Sequence, residues 1–303
     1  MRISASFLLL MAVAAGCGAR PGGDADVRVV ATTTHVADLV RSVGGERVAV
    51  EGILSADSDP HDYEPRPSDA AALAGADVVF KSGGDVDEWL DELLESAGGD
   101  AAEVTLLDSV RTIEQAGETD PHWWQDPRNA VLAVGAIADA LSRADPAGRG
   151  AYRRNAAAYR NELRRLDADL ERCIERVAPD KRKLVTTHDS LGYFAERYGV
   201  EAIGAVIPSL STQAQPSAKD VDELVRQIEE EQVEAIFPEA AVSQRLERAI
   251  SRESGAAVGR ELWTDGLGPD GSGAETYLKA MRANAGALAE GMSAGRVSCT
   301  RTG

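Results

Sequence analysis

Three of the four histidines in this chain lie in short stretches that carry aspartate, two of them also proline: Asp59-Pro60-His61, Asp120-Pro121-His122 and Thr187-His188-Asp189. Imidazole is the most common neutral metal ligand in proteins, and histidines in loops after strands point into clefts. The three histidines are 61 and 66 residues apart, so no local finger or helix-borne motif can hold them together. A fold that gathers strand ends can do so, and the three residues therefore predict most of a transition-metal site.

A carboxylate in the last part of the chain completes the predicted ligand set. Asp265 lies in the glycine-containing loop Leu262–Gly268, after the last predicted strand. Three imidazoles and one carboxylate form a compact set of four ligands that suits Zn²⁺. We expect His61 and His122 from the first half of the chain, and His188 and Asp265 from the second, to enclose one ion.

The elements that must position these residues alternate along the chain from Val27 onward. Short β-rich runs alternate with amphipathic helical stretches, four of each in each half. The predicted strands are Val27–Thr33, Arg47–Leu54, Asp77–Lys81, Val104–Leu107, Lys183–Thr187, Val200–Ala205, Ala235–Phe237 and Ala256–Val258. This order predicts an α/β protein with two parallel-sheet (β/α)4 lobes, residues 27–144 and residues 179–303.

Residues 145–178, between the two lobes, have a different pattern. Asp145-Pro146 is typical of a helix start, and Pro179 ends the segment. Apolar residues recur mostly three or four positions apart from Tyr152 to Val177. We expect one long backbone helix that crosses from one lobe to the other. A coiled-coil arm is the alternative, but no regular heptad supports it.

The N-terminus resembles a bacterial lipoprotein signal peptide. A basic start is followed by the apolar stretch Phe7–Ala15 and then by small residues before Cys17. We expect residues 1–16 to be removed, Cys17 to be lipidated and residues 17–26 to form a tether. The protein would then be exported and anchored by its N-terminal lipid to the outer face of the cytoplasmic membrane, at the cell surface or in the periplasm. An ordinary secretory signal cut elsewhere is the alternative.

The net charge of the chain limits its possible binding partners, and its cysteine content bears on its disulfide bonds. The formal net charge of −18 disfavours nucleic acid and anionic lipid as partners. Two cysteines remain after Cys17, namely Cys173 and Cys299, and neither has a metal-ligand spacing. A disulfide between them is open to an exported protein. The sequence leaves both the bonded and the free state possible.

Five ordered motifs resemble those of the zinc/manganese solute-binding lipoproteins of metal-uptake ABC transporters, also called adhesin-like lipoproteins. The resemblance covers nearly all of residues 27–292. The motifs are Pro60–Ser68, which looks like P-H-x-Y-E-P-x-P-S, Asp120–Pro127, which looks like D-P-H-x-W-x-D-P, and the stretches Thr187–Phe194, Gln215–Asp220 and Thr264–Leu267.

The resemblance implies two α/β lobes joined by one long helix, and delivery of a divalent metal to the transmembrane permease subunit of an ABC importer. Carried over by motif, the metal ligands are His61, His122, His188 and Asp265. Manganese-selective relatives tend to have a carboxylate at the third position, so His188 favours Zn²⁺ over Mn²⁺. The short segment Thr112–Asp120 lacks the histidine-rich loop of many zinc members. We expect a monomer without enzymatic activity.

Three acidic residues near the predicted ligands have two interpretations each. Asp126 precedes Pro127 and is typical of a helix N-cap, or it bonds a ligand imidazole. Asp189 is either a cap or the residue that orients His188. Glu239 follows a predicted strand and is either an acceptor for a ligand imidazole or a spare ligand. His35, the fourth histidine, is predicted at a helix start or in the cleft lining rather than on the metal.

Two other classes of function compete with metal transport. Three histidines and a carboxylate also hold catalytic zinc, but the chain has no H-E-x-x-H motif, and four protein ligands leave no open position for water. A secreted zinc hydrolase is therefore the weaker interpretation. A lipid-anchored surface adhesin is compatible with transport, although no sequence feature names its partner.

Overall fold

The structure, a computed structural model, describes residues 25–56 and 58–299. The predicted signal peptide and Cys17 lie outside the described residues. The first half contains a four-stranded parallel sheet, with the strands β1 (Val27–Ala31), β2 (Val48–Gly52), β3 (Val78–Lys81) and β4 (Ala102–Thr105). Their order in the sheet is β2-β1-β3-β4.

Three helices connect these strands: α1 (Thr34–Gly44), α2 (Pro67–Ala74) and α3 (Trp89–Ala97). The start of α1 follows from the sequence, because the side chain of Thr33 accepts a hydrogen bond from the backbone of Val36. The apolar residues of α1 recur three or four positions apart and are buried. The helix therefore packs one face against the sheet and fixes the strand ends that precede the site.

A short antiparallel hairpin, β5 (Glu114–Gln115) and β6 (Glu118–Thr119), comes between β4 and His122. The sequence pattern did not predict it. Its turn is Ala116-Gly117, and both residues have positive φ angles, 54° and 87°. The hairpin brings the chain back to Asp120, whose backbone N–H donates to the carbonyl of Ile113 at 3.0 Å.

Two long helices follow, α4 (Pro127–Ala144) and α5 (Arg149–Ile174). Helix α5 is the predicted linking helix, but it is shorter than expected at both ends. Asp145 does not start it: one carboxylate oxygen of Asp145 accepts hydrogen bonds from Arg47 and Tyr152, and a turn separates the two helices. With 26 residues, α5 is about 39 Å long.

The second half has the four predicted strands, all parallel, but in two separate ladders. The ladders are β7 with β8 and β9 with β10, and a single bridge between Thr186 and Phe237 connects them. The elements are β7 (Lys183–His188), α6 (Gly192–Tyr198), β8 (Glu201–Ile207), α7 (Ala218–Glu230), β9 (Ala235–Ile236), α8 (Arg245–Ser254), β10 (Ala257–Val258) and α9 (Tyr277–Met292).

Helix α5 lies at the centre of the largest apolar core. Its buried side chains alternate at spacings of four and three residues from Tyr152 to Cys173. They belong to one cluster that includes Val29 from the first sheet and Phe237 from the second. Helix α5 contacts α1 and α4 from the first half of the chain and α6 and α9 from the second, so the two halves share one apolar core. A disulfide between Cys173 of α5 and Cys299 attaches the C-terminal segment to this helix.

Within residues 25–56 and 58–299, no helix has the length and apolar character that crossing a membrane requires.

Candidate metal centre

The structure brings the four predicted ligands together between the two sheets. His61 lies in the loop after β2, His122 follows the hairpin, His188 is the last residue of β7, and Asp265 follows β10. All four are buried, and one nitrogen or oxygen atom from each lies within 4.8 Å of the others. His61, His188 and Asp265 lie at or beyond the carboxyl ends of parallel strands, where such sheets gather ligands, and the hairpin leads the chain to His122 beside them.

The spacing of the donor atoms matches a small four-coordinate ion. The Nε2 atoms of His122 and His188 are 3.3 Å apart. The carboxylate of Asp265 lies 3.2 Å from Nε2 of His188, 3.6 Å from that of His122 and 3.7 Å from that of His61. Four donors at the vertices of a tetrahedron, each about 2.1 Å from a zinc ion, are about 3.4 Å apart. The four residues present therefore fit Zn²⁺ without a large rearrangement.

His122 is held by a carboxylate two residues earlier in the chain. Nδ1 of His122 donates to Oδ1 of Asp120 at 2.8 Å, and the backbone N–H of His122 donates to the same oxygen at 2.9 Å. Asp120 is fully buried, and its backbone carbonyl accepts from the hydroxyl of Tyr193 in α6. A carboxylate behind an imidazole fixes the ring and leaves Nε2 free for the metal.

His188 is held in the same way by a residue distant in the sequence. Nδ1 of His188 donates to Oε2 of Glu239 at 2.7 Å, and its backbone N–H donates to Oε1 at 3.1 Å. The hydroxyl of Thr264 also donates to Oε2, at 2.8 Å. Glu239 thus connects the His188 strand end with the loop of Asp265.

His61 differs from the other two imidazoles. Neither of its ring nitrogens has a hydrogen-bond partner among the described residues. Its Nδ1 lies 3.7 Å from Oδ2 of Asp85, whose side chain is 40% exposed. The backbone of the loop, by contrast, is held: Trp89 donates to the carbonyl of Pro60, and Gln213 donates to the carbonyl of His61.

The loop that carries Asp265 follows a strand of the second half of the chain, but it forms hydrogen bonds with residues of the first half. The carbonyl of Thr264 accepts from the side chains of Trp124, at 2.7 Å, and Gln125, at 2.8 Å. The backbone N–H of Leu267 donates to the hydroxyl of Thr34 at 2.8 Å. Both sides of the cleft therefore fix the carboxylate position.

Burial and mutual attraction set the charge of the site. Burial opposes ionisation of Asp265, but the imidazoles of His188 and His122 outweigh it and hold the pKa of this carboxyl well below its usual range. Burial also opposes protonation of His188, yet Glu239 and Asp265 raise its pKa well above the ordinary value. Burial lowers the pKa of His61 to about 3 despite the attraction of Asp265. The metal-free site therefore keeps a proton on His188, which a metal must displace.

Of the three acidic residues with two interpretations, only Glu239 bonds a ligand imidazole. Asp126 is the N-cap of α4, and its carboxylate pairs with Arg128. Asp189 fits neither of its two interpretations, because Nδ1 of His188 is bonded to Glu239 and the N-cap residue of α6 is Leu191. His35 is buried in α1, outside the group of four, and its ring stacks on Trp124 with the centroids 5.2 Å apart.

Sequence reasoning missed Asp120 as the partner of His122, although a signal was present. The tripeptide Asp-Pro-His occurs twice, at Asp59 and at Asp120. An aspartate can accept a hydrogen bond from the backbone N–H of a histidine two residues later, as Asp59 and Asp120 both do in this fold. The proximity of Asp85 to His61 had no signal in the sequence, because only the fold brings the two residues together.

Comparisons with known proteins found relatives over nearly the whole chain. The family model described as "Zinc-uptake complex component A periplasmic" matches residues 29–291. The manganese-binding lipoprotein MntA of Halalkalibacterium halodurans is 31% identical over 299 residues, which cover 96% of this chain and 99% of that protein. The metal ABC transporter substrate-binding lipoprotein SloC of Streptococcus mutans is 28% identical over 288 residues, 91% of this chain and 94% of SloC.

The fold has solved relatives as well. The periplasmic zinc-binding protein TroA from Treponema pallidum superimposes with a TM-score of 0.82 at 26% sequence identity. The superposition covers 88% of this chain and 99% of that one. The two-lobe α/β fold expected from the sequence is therefore confirmed.

Proposed function

The chain belongs to the zinc-uptake complex component A family, and on this premise we propose that His61, His122, His188 and Asp265 bind its substrate ion. It is a metal-binding, substrate-binding protein of an ABC transporter, not an enzyme. The protein acts outside the cytoplasm, together with the membrane components of that transporter.

One observation supports the assignment of these four residues as metal ligands. Four buried donor atoms from four distant segments converge within 4.8 Å, and the distance between His122 and His188 and those from Asp265 to each imidazole are 3.2 to 3.7 Å. Converging imidazole nitrogens and an ionised carboxylate without a cation would leave buried polar atoms unsatisfied, which is costly. Both ring nitrogens of His61 and Oδ1 of Asp265 are in that state. A divalent cation among the four side chains would take Nε2 of His61 and the carboxylate of Asp265 as ligands.

Zn²⁺ is the ion that this donor set binds more tightly. Three imidazoles and one carboxylate are a borderline-soft set, and nitrogen-rich sites bind Zn²⁺ above Mn²⁺ in the general affinity order of divalent metals. The relative TroA is described as zinc-binding. Mn²⁺ is the second candidate for the transported ion, because the relative MntA is described as manganese-binding.

We further propose the organisation around the site. Residues 27–144 and 179–303 act as two metal-binding lobes, residues 145–178 link them, and the protein is a monomer. Cys17 carries a lipid that anchors the protein at the outer face of the cytoplasmic membrane, with residues 17–26 as tether. The protein must deliver its ion to a permease in the same membrane. A flexible tether of this kind would let the metal-loaded cleft turn toward the transmembrane subunit.

Native mass spectrometry tests the assignment. Metal-stripped protein is offered equimolar Zn²⁺ and Mn²⁺, and we expect one zinc ion retained per chain. The His122→Ala variant should lose it. His35→Phe removes a buried histidine outside the group of four and is the matched control, which should keep its zinc. Retention of zinc by His122→Ala, or preferential retention of manganese by the wild type, would contradict the proposal in its ligands or in its metal.

A further inference from the structure

We propose that Asp85 is the entry ligand of this site and that the ring of His61 transfers the ion from Asp85 to the other three ligands. This inference rests on the proposed function, since it gives an additional role to a residue outside the group of four. It starts from the difference between His61 and the other two imidazoles.

Two imidazoles of the site are fixed and one is not. His122 and His188 each donate Nδ1 to a buried carboxylate, Asp120 and Glu239 respectively. Both ring nitrogens of His61 lack a hydrogen-bond partner among the described residues. No hydrogen bond therefore opposes a turn of the His61 ring about its side-chain torsions, whereas a turn of either other ring would break one.

The backbone beneath that ring is held from three sides. The N–H of His61 donates to Oδ1 of Asp59 at 3.0 Å, and Thr212 of the second half donates to Oδ2 of the same carboxylate at 2.7 Å. The carbonyls of Pro60 and His61 accept from Trp89 and Gln213. The backbone of the loop is thus fixed by hydrogen bonds while the imidazole makes none, so a change in the position of this ligand falls to the side chain.

The ring lies between an exposed carboxylate and the buried ligands. Its Nδ1 is 3.7 Å from Asp85, and its Nε2 is 3.7 Å from Asp265. The side chain of Asp85 is 40% exposed, compared with 1% for His61 and 5% for Asp265. An ion that comes from solvent can therefore reach Asp85 before it reaches any of the four buried ligands. A carboxylate binds a hydrated divalent cation without complete loss of its water.

The loop that carries Asp85 is rigid. Buried Asp87 accepts from the backbone N–H groups of Ser82 and Gly83 and from the hydroxyl of Thr32. Gly84 has φ of 77°, and a Cβ atom there would lie 2.7 Å from Cβ of Pro121, the residue before His122. The close approach needs glycine and packs the Asp85 loop against the His122 loop. Asp85 therefore stays at the mouth of the site while His61 moves.

Stopped-flow kinetics with Zn²⁺ alone, on metal-stripped full-length protein, test the inference through the emission of the tryptophans beside the site. Asp85→Asn should slow association and dissociation by the same factor, about fivefold, and leave Kd within about twofold. A residue that contacts the ion only on its way in or out affects the association and dissociation rates equally and leaves Kd unchanged. Asp85→Glu, which keeps the carboxylate, should restore most of the rate.

Asp62→Asn is the matched control, because Asp62 is an exposed carboxylate next to His61 in the sequence and its loss changes the net charge equally. It should leave both rates unchanged. Equal slowing by both variants would show general attraction and overturn the inference. So would a weaker Kd in Asp85→Asn that arises from dissociation alone, or unchanged rates. One zinc per chain in native mass spectra of Asp85→Asn separates these outcomes from failure of the four-ligand assignment.

Discussion

Nδ1 of His188 lies 2.7 Å from Oε2 of Glu239, and both side chains are buried although 51 residues separate them in the sequence. This bond fixes the ring so that Nε2 points at Asp265 and His122. It also places a carboxylate charge directly behind the imidazole, which strengthens the imidazole as a metal ligand.

We expect Glu239→Gln to weaken zinc binding by about 10- to 100-fold, because it removes that charge and leaves the ring orientation less fixed. Chelator competition measures the change in Kd. Glu247→Gln is the matched control: Glu247 is equally buried and accepts from Thr187, the neighbour of His188, but bonds no imidazole. Similar losses of affinity in both variants would mean that general repacking, rather than the bond to His188, causes the effect.

Zinc affinity should fall with decreasing pH, and the fall should begin above the usual histidine range. The pKa of His188 is raised by Glu239 and Asp265, even though burial opposes its protonation. The metal therefore competes with a proton at neutral pH, and this proton is released on binding. Calorimetry in two buffers of different ionisation enthalpy counts the released protons. Affinity that stays constant from about pH 8 down to about pH 6 would contradict a protonated His188 in the metal-free protein.

The metal-free protein should lose stability in acid partly through His35. Burial lowers the pKa of His35 to about 4 from an ordinary value of 6.5. Below pH 6.5 the unfolded chain gains a proton that the folded chain does not, so the free energy of unfolding decreases as the pH falls toward 4.

His35→Phe keeps an aromatic ring on Trp124 and removes this titration. Between pH 7 and pH 5, the wild type should lose about 2 kcal/mol more than the variant. Urea unfolding of both metal-free proteins at the two pH values measures the difference. Parallel loss in the two proteins would show that His35 stays accessible to protons in the folded state.

Removal of the disulfide should lower stability without changing the metal site. Cys173 and Cys299 are 126 residues apart, and their bond limits the freedom of the unfolded chain. The double variant Cys173→Ser, Cys299→Ser should lose about 2–4 kcal/mol in urea unfolding. Its zinc affinity should equal that of the wild type, since neither cysteine belongs to the group of four. A large change in affinity would indicate that the C-terminal segment positions the site.

Metal release should change the overall dimensions little. The apolar core is continuous from the first sheet through α5 to the second sheet, and hydrogen bonds from Trp124 and Gln125 to Thr264 cross the cleft beneath the site. The radius of gyration of apo and zinc-loaded protein, measured by small-angle scattering, should agree within about 1 Å. A large compaction on loading would show that the lobes hinge despite the shared helix.

Much of the fold could be predicted because periodicity is a local signal. All eight predicted strands form, and the apolar residues predicted from Tyr152 to Val177 are buried. The hairpin before Asp120 was missed because two-residue strands are too short to show alternation. The start of α5 was misplaced because Asp145 is bonded to Arg47, a partner 98 residues away that no local pattern indicates.

The sequence by itself determined which side chains could bind a metal: the types and loop positions of His61, His122, His188 and Asp265 are local properties. Only the tertiary structure decided what surrounds each of them. The tripeptide Asp-Pro-His occurs in two of the loops, yet Asp120 bonds the imidazole of His122, while Asp59 bonds the backbone N–H of His61 and Thr212 and makes no hydrogen bond to the imidazole of His61. The difference arises because hydrogen bonding of a buried carboxylate depends on which donors the rest of the fold brings within reach, and residues distant in the chain supply them.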